Sequence, residues 1–160
     1  MKLTDFLIEA ADLVKYTSVG NNTDPDAYAP YIRTAQLIKV RPILGTPLYN
    51  KLLADYSAGT LSGQYQIIYD NYVADMMIYF SAANYLSFAP YQIANGGVFR
   101  HATENSDPVD IEEVKVLVTN YNSTATAVHL QFLDYMKTIS IPEWPQSCSG
   151  SNSFYFPWQI

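Results

Sequence analysis

Apolar residues return at alternating steps of three and four along the last third of the chain: Ile111, Val114, Val118, Tyr121, Ala125, Val128, Phe132, Tyr135 and Ile139. That rhythm lays one unbroken seam along one side of a helix, and it predicts the clearest amphipathic element of the chain over 110–138. The start is marked too. Asp110 suits an N-cap, Glu113 can reach back to the Asp110 N–H, and Val109 and Val114 stand where a hydrophobic staple would close. A second long helix is predicted over 64–89, where Tyr65, Tyr69, Tyr72, Met76, Phe80 and Ala83 form a stripe. Ile68, Met77, Tyr79 and Leu86 widen it, which predicts burial on more than one side. Pro90 ends it. The chain between the two helices must return, so they should pack antiparallel.

Shorter elements precede this pair. Thr4 suits the cap of a helix reaching about Lys15, with Phe6, Ala10 and Leu13 on one face, Leu7, Ala11 and Val14 beside them, and Asp5, Glu9 and Asp12 outward. A polar loop over 17–24 holds Gly20, Asn21 and Asn22. Pro25 and Pro30 predict a turn at 24–29 and a helix from Pro30 to Val40, stopped by Pro42. A tight connection over 43–47 follows. Thr46 and Pro47 then supply a cap and first turn for a helix faced by Leu48, Leu52 and Tyr56, and Ala58, Gly59 and Thr60 end it.

Two stretches break the helical rhythm. Ile93, Asn95-Gly96-Gly97, Val98 and Phe99 read as a short β-hairpin or tight loop, followed by a polar tip over 103–108. Beyond Ile139, Pro142, Pro145 and Pro157 and a Ser/Gly/Asn patch at 147–153 exclude further helix. This tail carries Trp144, Phe154, Tyr155, Phe156 and Trp158, apolar area that calls for a surface to dock on. The expected fold is mainly α: a helical bundle with two long antiparallel helices, a short hairpin or loop between them, and an extended C-terminal arm. Residues 1–139 form the bundle, with 91–108 projecting, and 140–160 the arm.

Composition narrows the function classes. A length of 160 residues suits one domain, and 49% apolar against 15% charged residues describes a globular chain with a low-charge surface. Fourteen tyrosines and two tryptophans fit either a Tyr-rich core or a large subunit interface. The net charge of −6 argues against gripping nucleic acid through its phosphates. The densest basic group, Arg33, Lys39, Arg41 and Lys51, reads as a solvated helix face. Cys148 is the single cysteine, so neither an intrachain disulfide nor a multi-cysteine zinc site is expected. Asp5, Glu9 and Asp12 interrupt any signal-peptide run, and no stretch approaches the length of a membrane-spanning helix. A soluble protein of a reducing compartment, or of a particle assembled there, is the expectation.

Catalytic chemistry finds no residues to stand on. Neither His101 nor His129 has a second ligand at metal spacing. No glycine-rich phosphate loop and no nucleophile elbow occurs. Glu112 and Glu113 are adjacent and so diverge; their place in a first helical turn is explained by the helix dipole. No catalytic, cofactor-binding or metal-binding residue is assigned, and no enzyme is expected.

Residues 31–50, YIRTAQLIKVRPILGTPLYN, carry a resemblance, together with Asn95-Gly96-Gly97-Val98 after a long helix, the polar loop before Val109 and the aromatic end after Pro142. In these features the chain resembles small virion structural proteins of phages and prophages of Bacteroides-type bacteria, crAss-like phages included. Those in turn are similar to head–tail connector, or adaptor, proteins of tailed bacteriophages. The resemblance covers the chain from about residue 30 and implies a helical bundle, a ring of subunits stacked under the portal, and loops and a C-terminal arm that reach neighbours.

The expected function is therefore a structural virion protein, a homo-oligomeric connector ring at the head–tail junction, made in the host cytoplasm. Its partners would be the portal and tail or other connector proteins, with genomic DNA passing the channel without sequence-specific binding and no membrane involved. An acidic balance suits such a channel, since it repels phosphates. Interface residues are expected at Val98 and Phe99 of the hairpin and at Trp144, Phe154, Tyr155, Phe156 and Trp158 of the arm, which could instead fold back on its own bundle. Tail completion, a helical-bundle protein-binding adaptor and an enzyme with an unfamiliar site are the alternatives.

Overall fold

A computed structural model describes residues 5–19, 25–88, 91–94, 97–100 and 111–144. The fold is mainly α-helical, a bundle as expected. A short first helix, Ala10–Tyr16, leads to a 3₁₀ turn, Pro25–Ala27. The chain then runs helically over 29–58, through Ala29–Thr34, a π turn at Ala35–Val40, and Arg41–Ala58. The central helix spans 63–88 and also contains a π turn, Tyr69–Val73, between Gly63–Ile68 and Ala74–Phe88. After a β-hairpin comes the last helix, Ile111–Met136.

The central and last helices are antiparallel, as their side-chain register shows. Tyr72 meets Phe132 and Tyr135, with ring centroids 6.1 and 5.3 Å apart, whereas Tyr79 meets Tyr121 at 6.1 Å. Rising along one helix means falling along the other. Met76, Met77, Ile78, Phe80, Ala82 and Ala83 are all buried, so the central helix is covered around most of its circumference. Helices apolar on every side belong in the middle of a bundle.

The first helix begins at Ala10, with Glu9 at its N-cap, five residues after the cap expected at Thr4. The reason is where segment 5–8 spends its backbone. Leu7 N–H donates to Gln36 Oε1 at 2.8 Å, and Leu7 C=O accepts from the Tyr69 hydroxyl at 2.6 Å. Gln36 Nε2 donates to Asp5 C=O at 3.0 Å and to the Tyr49 hydroxyl at 2.9 Å. A residue whose N–H and C=O are both held by other helices cannot also sit in a helical ladder. Asp12 Oδ2 accepts from Glu9 N–H at 2.9 Å, which marks where the helix does start. Leu7 and Ile8, rather than Phe6, are the buried residues of this segment.

Pro42 does not stop its helix, contrary to expectation. Just before it, Arg41 N–H bonds to Gln36 C=O five residues back, the π pattern, and the α-helical ladder restarts there. Pro42 thus occupies a first-turn position, where an absent N–H costs little. The break falls at Gly45, with φ 71° and ψ 156°, a conformation essentially confined to glycine. This kink is the connection expected over 43–47. Leu44 just before it and Leu48, Tyr49, Leu52 and Leu53 beyond it are buried. Gly59 closes the helix in the left-handed region, with Gly59 N–H on Tyr56 C=O at 3.1 Å and Thr60 N–H on Asp55 C=O at 2.9 Å.

Tyr91–Ala94 pairs antiparallel with Gly97–Arg100, Ala94 opposite Gly97, so residues 95–96 join the strands. The side chains of Val98 and Phe99, the tip at 103–108 and the Asp110 cap lie outside the described residues. After the last helix the chain folds back. Ile141 bridges to Trp144, the Trp144 ring meets Phe132 edge-on at 5.4 Å, and the Tyr65 hydroxyl donates to Glu143 Oε2. That packing carries the bundle through Trp144, five residues past the expected boundary at 139. Trp144 spends its ring on its own chain.

Candidate interaction surface

The last helix has two unlike faces. Ala125, Phe132 and Met136 are buried against the central helix, with Tyr121, Val128 and Tyr135 partly buried beside them. Tyr121 also ties down the N-terminal region, its hydroxyl meeting Ser18 N–H at 2.9 Å and Ser18 Oγ at 2.6 Å. The other face is open to solvent. Val116 is 59% exposed, Leu117 40% and Leu130 62%, and Thr119, Asn120, Ser123, Thr124, Thr126, Ala127 and Gln131 are exposed around them.

This open face carries no charge. Between Lys115 and Asp134 there is no Asp, Glu, Lys or Arg, whereas the outer face of a solvated helix is ordinarily charged. Within 116–133 the ionisable side chains are Tyr121, packed against the core, and His129, half-buried, whose pKa burial pushes down. The hydroxyls reduce the polarity further. Thr124 Oγ1 donates to Asn120 C=O at 2.9 Å and Thr126 Oγ1 to Asn122 C=O at 2.8 Å, so both donors are turned back onto their own helix. Charge gathers at the two ends, as the exposed pairs Lys115–Glu112 at 2.6 Å and Lys137–Asp134 at 2.9 Å with Glu113 beside the first. Small side chains, two leucines, a valine and muted hydroxyls make a surface suited to close contact with another protein.

Of the interface residues expected from sequence, only Trp144 is described with its side chain. Trp144 lies against Phe132 within its own chain. Val98 and Phe99 are described only as strand backbone, and Phe154, Tyr155, Phe156 and Trp158 lie outside the described residues. Val116, Leu117 and Leu130 were legible only as departures from the apolar seam; the signal that finds them is the absence of charge over 116–133. Elsewhere, Asp5, Glu9, Asp26 and Tyr56 line an open cleft beside the first helix. Among the described residues no group of three His, Cys, Asp or Glu is disposed to hold a metal ion, and no helix is long and apolar enough to cross a membrane.

The molecule is thus a mainly α bundle, closed by a short C-terminal return, that presents one long uncharged helix face. It belongs to the family of unknown function DUF6712, whose model matches residues 40–153. The matched range begins at the end of the first π turn and includes the whole last helix, while Gln36 and the segment it holds lie ahead of it. No curated protein and no solved structure matches the chain.

Proposed function

We propose that this protein is a structural virion component, a head–tail connector that assembles as a homo-oligomeric ring between portal and tail. The observation that carries the reading is the open, uncharged face of the last helix, exposed along 116–131 in the single chain. A permanent subunit contact needs such a face, because obligate interfaces resemble a domain core cut in half and exclude charge from their centre. The net charge of −6 fits a channel that DNA traverses without adhering. The resemblance of residues 31–50 and of the hairpin to phage connector proteins supplies the particular place in the virion. The reading assigns the chain no catalysis and no cofactor.

Two experiments on virions test it. Antibody labelling or cryo-electron microscopy of purified particles should place the protein at the head–tail junction in ring-like copy number. Disrupting its gene should yield DNA-filled heads that lack tails. Particles with normal tails and no trace of the protein would overturn the reading.

A further inference from the structure

The central helix is sandwiched by two others on different sides. Tyr85 meets Tyr28 and Tyr31 of the segment opening helix 29–58, at 5.0 and 5.4 Å, whereas Tyr79 meets Tyr121 of the last helix at 6.1 Å. Six residues of α-helix separate Tyr79 from Tyr85, which sets the two contacts about 120° apart around the axis. The outward faces of the two flanking helices therefore point away from each other. The outward face of the last helix is the uncharged one already described. Helix 29–58 has its own: Pro30, Thr34, Ile38 and Pro42, every fourth residue, are all exposed, Ile38 at 61%. Here too a hydroxyl is turned inward, Thr34 Oγ1 donating to Pro30 C=O at 2.9 Å.

The charges beside these two faces are of opposite sign. Residues 27–54 hold Arg33, Lys39, Arg41 and Lys51 and no carboxylate. Residues 111–144 hold Glu112, Glu113, Asp134 and Glu143 against Lys115 and Lys137. The first face is uniformly basic and would repel a second copy of itself, whereas the second carries a net negative charge even with Lys115 and Lys137 paired to their carboxylates. They are complementary to each other.

We infer that the outward face of the last helix, around Val116, Ala127 and Leu130, docks on the Pro30–Thr34–Ile38–Pro42 face of a second copy of this chain. Two different faces on diverging sides of one subunit make a heterologous contact, which closes into a ring when the rotation permits. Apolar contact at Ile38 and Leu130 supplies the centre, and Arg33, Lys39 and Arg41 meet the carboxylates at the ends of the partner's last helix. The inference rests on the ring reading and names the two surfaces that form it.

Single substitutions in each face, tested separately and mixed, decide it. Ile38 and Leu130 are exposed, so Ile38→Glu and Leu130→Glu should keep the wild-type circular dichroism spectrum and still melt cooperatively. By native mass spectrometry the wild-type chain should give a closed oligomer and each variant a monomer. Mixed, the two variants should form a one-to-one heterodimer that grows no further, because each retains the face the other lacks. An oligomer unaffected by Ile38→Glu, a mixture that stays monomeric, or a wild-type chain monomeric at every concentration would each overturn the pairing of these faces. The connector reading is decided separately, by the virions.

Discussion

Gln36 does more at the scale of one residue than any other polar side chain described. It is fully buried, and its amide makes three hydrogen bonds, to Leu7 N–H, Asp5 C=O and the Tyr49 hydroxyl. The opposite side of the same peptide segment is held by Tyr69. Gln36 and Tyr69 each lie in a π turn, so the two register shifts converge on Leu7. Replacing the amide leaves a buried N–H without a partner, which costs about 1–3 kcal/mol. Gln36→Leu should therefore lower the unfolding free energy by about that amount in urea titrations. Tyr69→Phe, which removes one hydroxyl from an acceptor, should lower it by about 0.5–1.5 kcal/mol. Faster exchange of the Leu7 amide in Gln36→Leu alone would assign the loss to that bond. None of this was legible in the sequence. Gln36 sits among Ala35, Leu37 and Ile38 with no motif to mark it, and its partners are supplied by residues 31, 29 and 13 positions away.

At the scale of the element, the last helix shows which part of an apolar pattern reports burial. Phe132 lies on the seam and is fully buried, whereas Leu130, two residues away, is 62% exposed. Phe132→Ala should cost about 3–5 kcal/mol through lost burial and the cavity left between Tyr72 and Trp144. Leu130→Ala should change stability of the isolated chain by less than about 0.5 kcal/mol, as surface substitutions do. Thermal or chemical denaturation of the pair measures both. The same helix makes stability depend on pH. Burial lowers the His129 pKa from its ordinary 6.5, so the folded chain resists a proton that the unfolded chain accepts. Its contribution is complete above pH 6.5 and declines as the pH falls below that value. His129→Gln should flatten the slope of stability against pH below the ordinary 6.5, measured by denaturation at fixed temperature.

On the scale of the whole molecule, the C-terminal return decides where the bundle ends. A chain ending at Ser140 loses Ile141, the Tyr65–Glu143 hydrogen bond and the Trp144–Phe132 contact, and should unfold at lower temperature than the full chain. A chain ending at Trp144 keeps all three and should melt above the one ending at Ser140. On the connector reading it should still fail to join the assembly if residues 145–160 dock on a neighbour. Tyr65 gives the shorter chain a spectroscopic signature. The hydrogen bond to Glu143, with burial, pushes its pKa up to about 12, and without Glu143 it should fall towards the ordinary 10.0, read by nuclear magnetic resonance. Truncated chains of equal stability would place residues 141–144 outside the fold.

The two long helices, their antiparallel order, the hairpin and the stop at Gly59 followed from the sequence because each rests on a local signal: a seam of period 3.6, a pair of turn residues, a glycine after the last apolar position. The kink was half visible, since residues 43–47 announced a break but not that Gly45 alone would carry it. Pro42 and Thr4 misled for one physical reason. Their local preferences for stopping and starting a helix are worth a kilocalorie or a few, about what one buried hydrogen bond or one well-filled contact can outweigh. Tertiary structure therefore chose the π turns, the non-helical start at 5–8 and the seat of Trp144. It alone could separate the apolar residues that face the core from Val116, Leu117, Leu130 and Ile38, which face out. Periodicity records which residues share a side of a helix; what stands on that side is settled only when the other helices arrive.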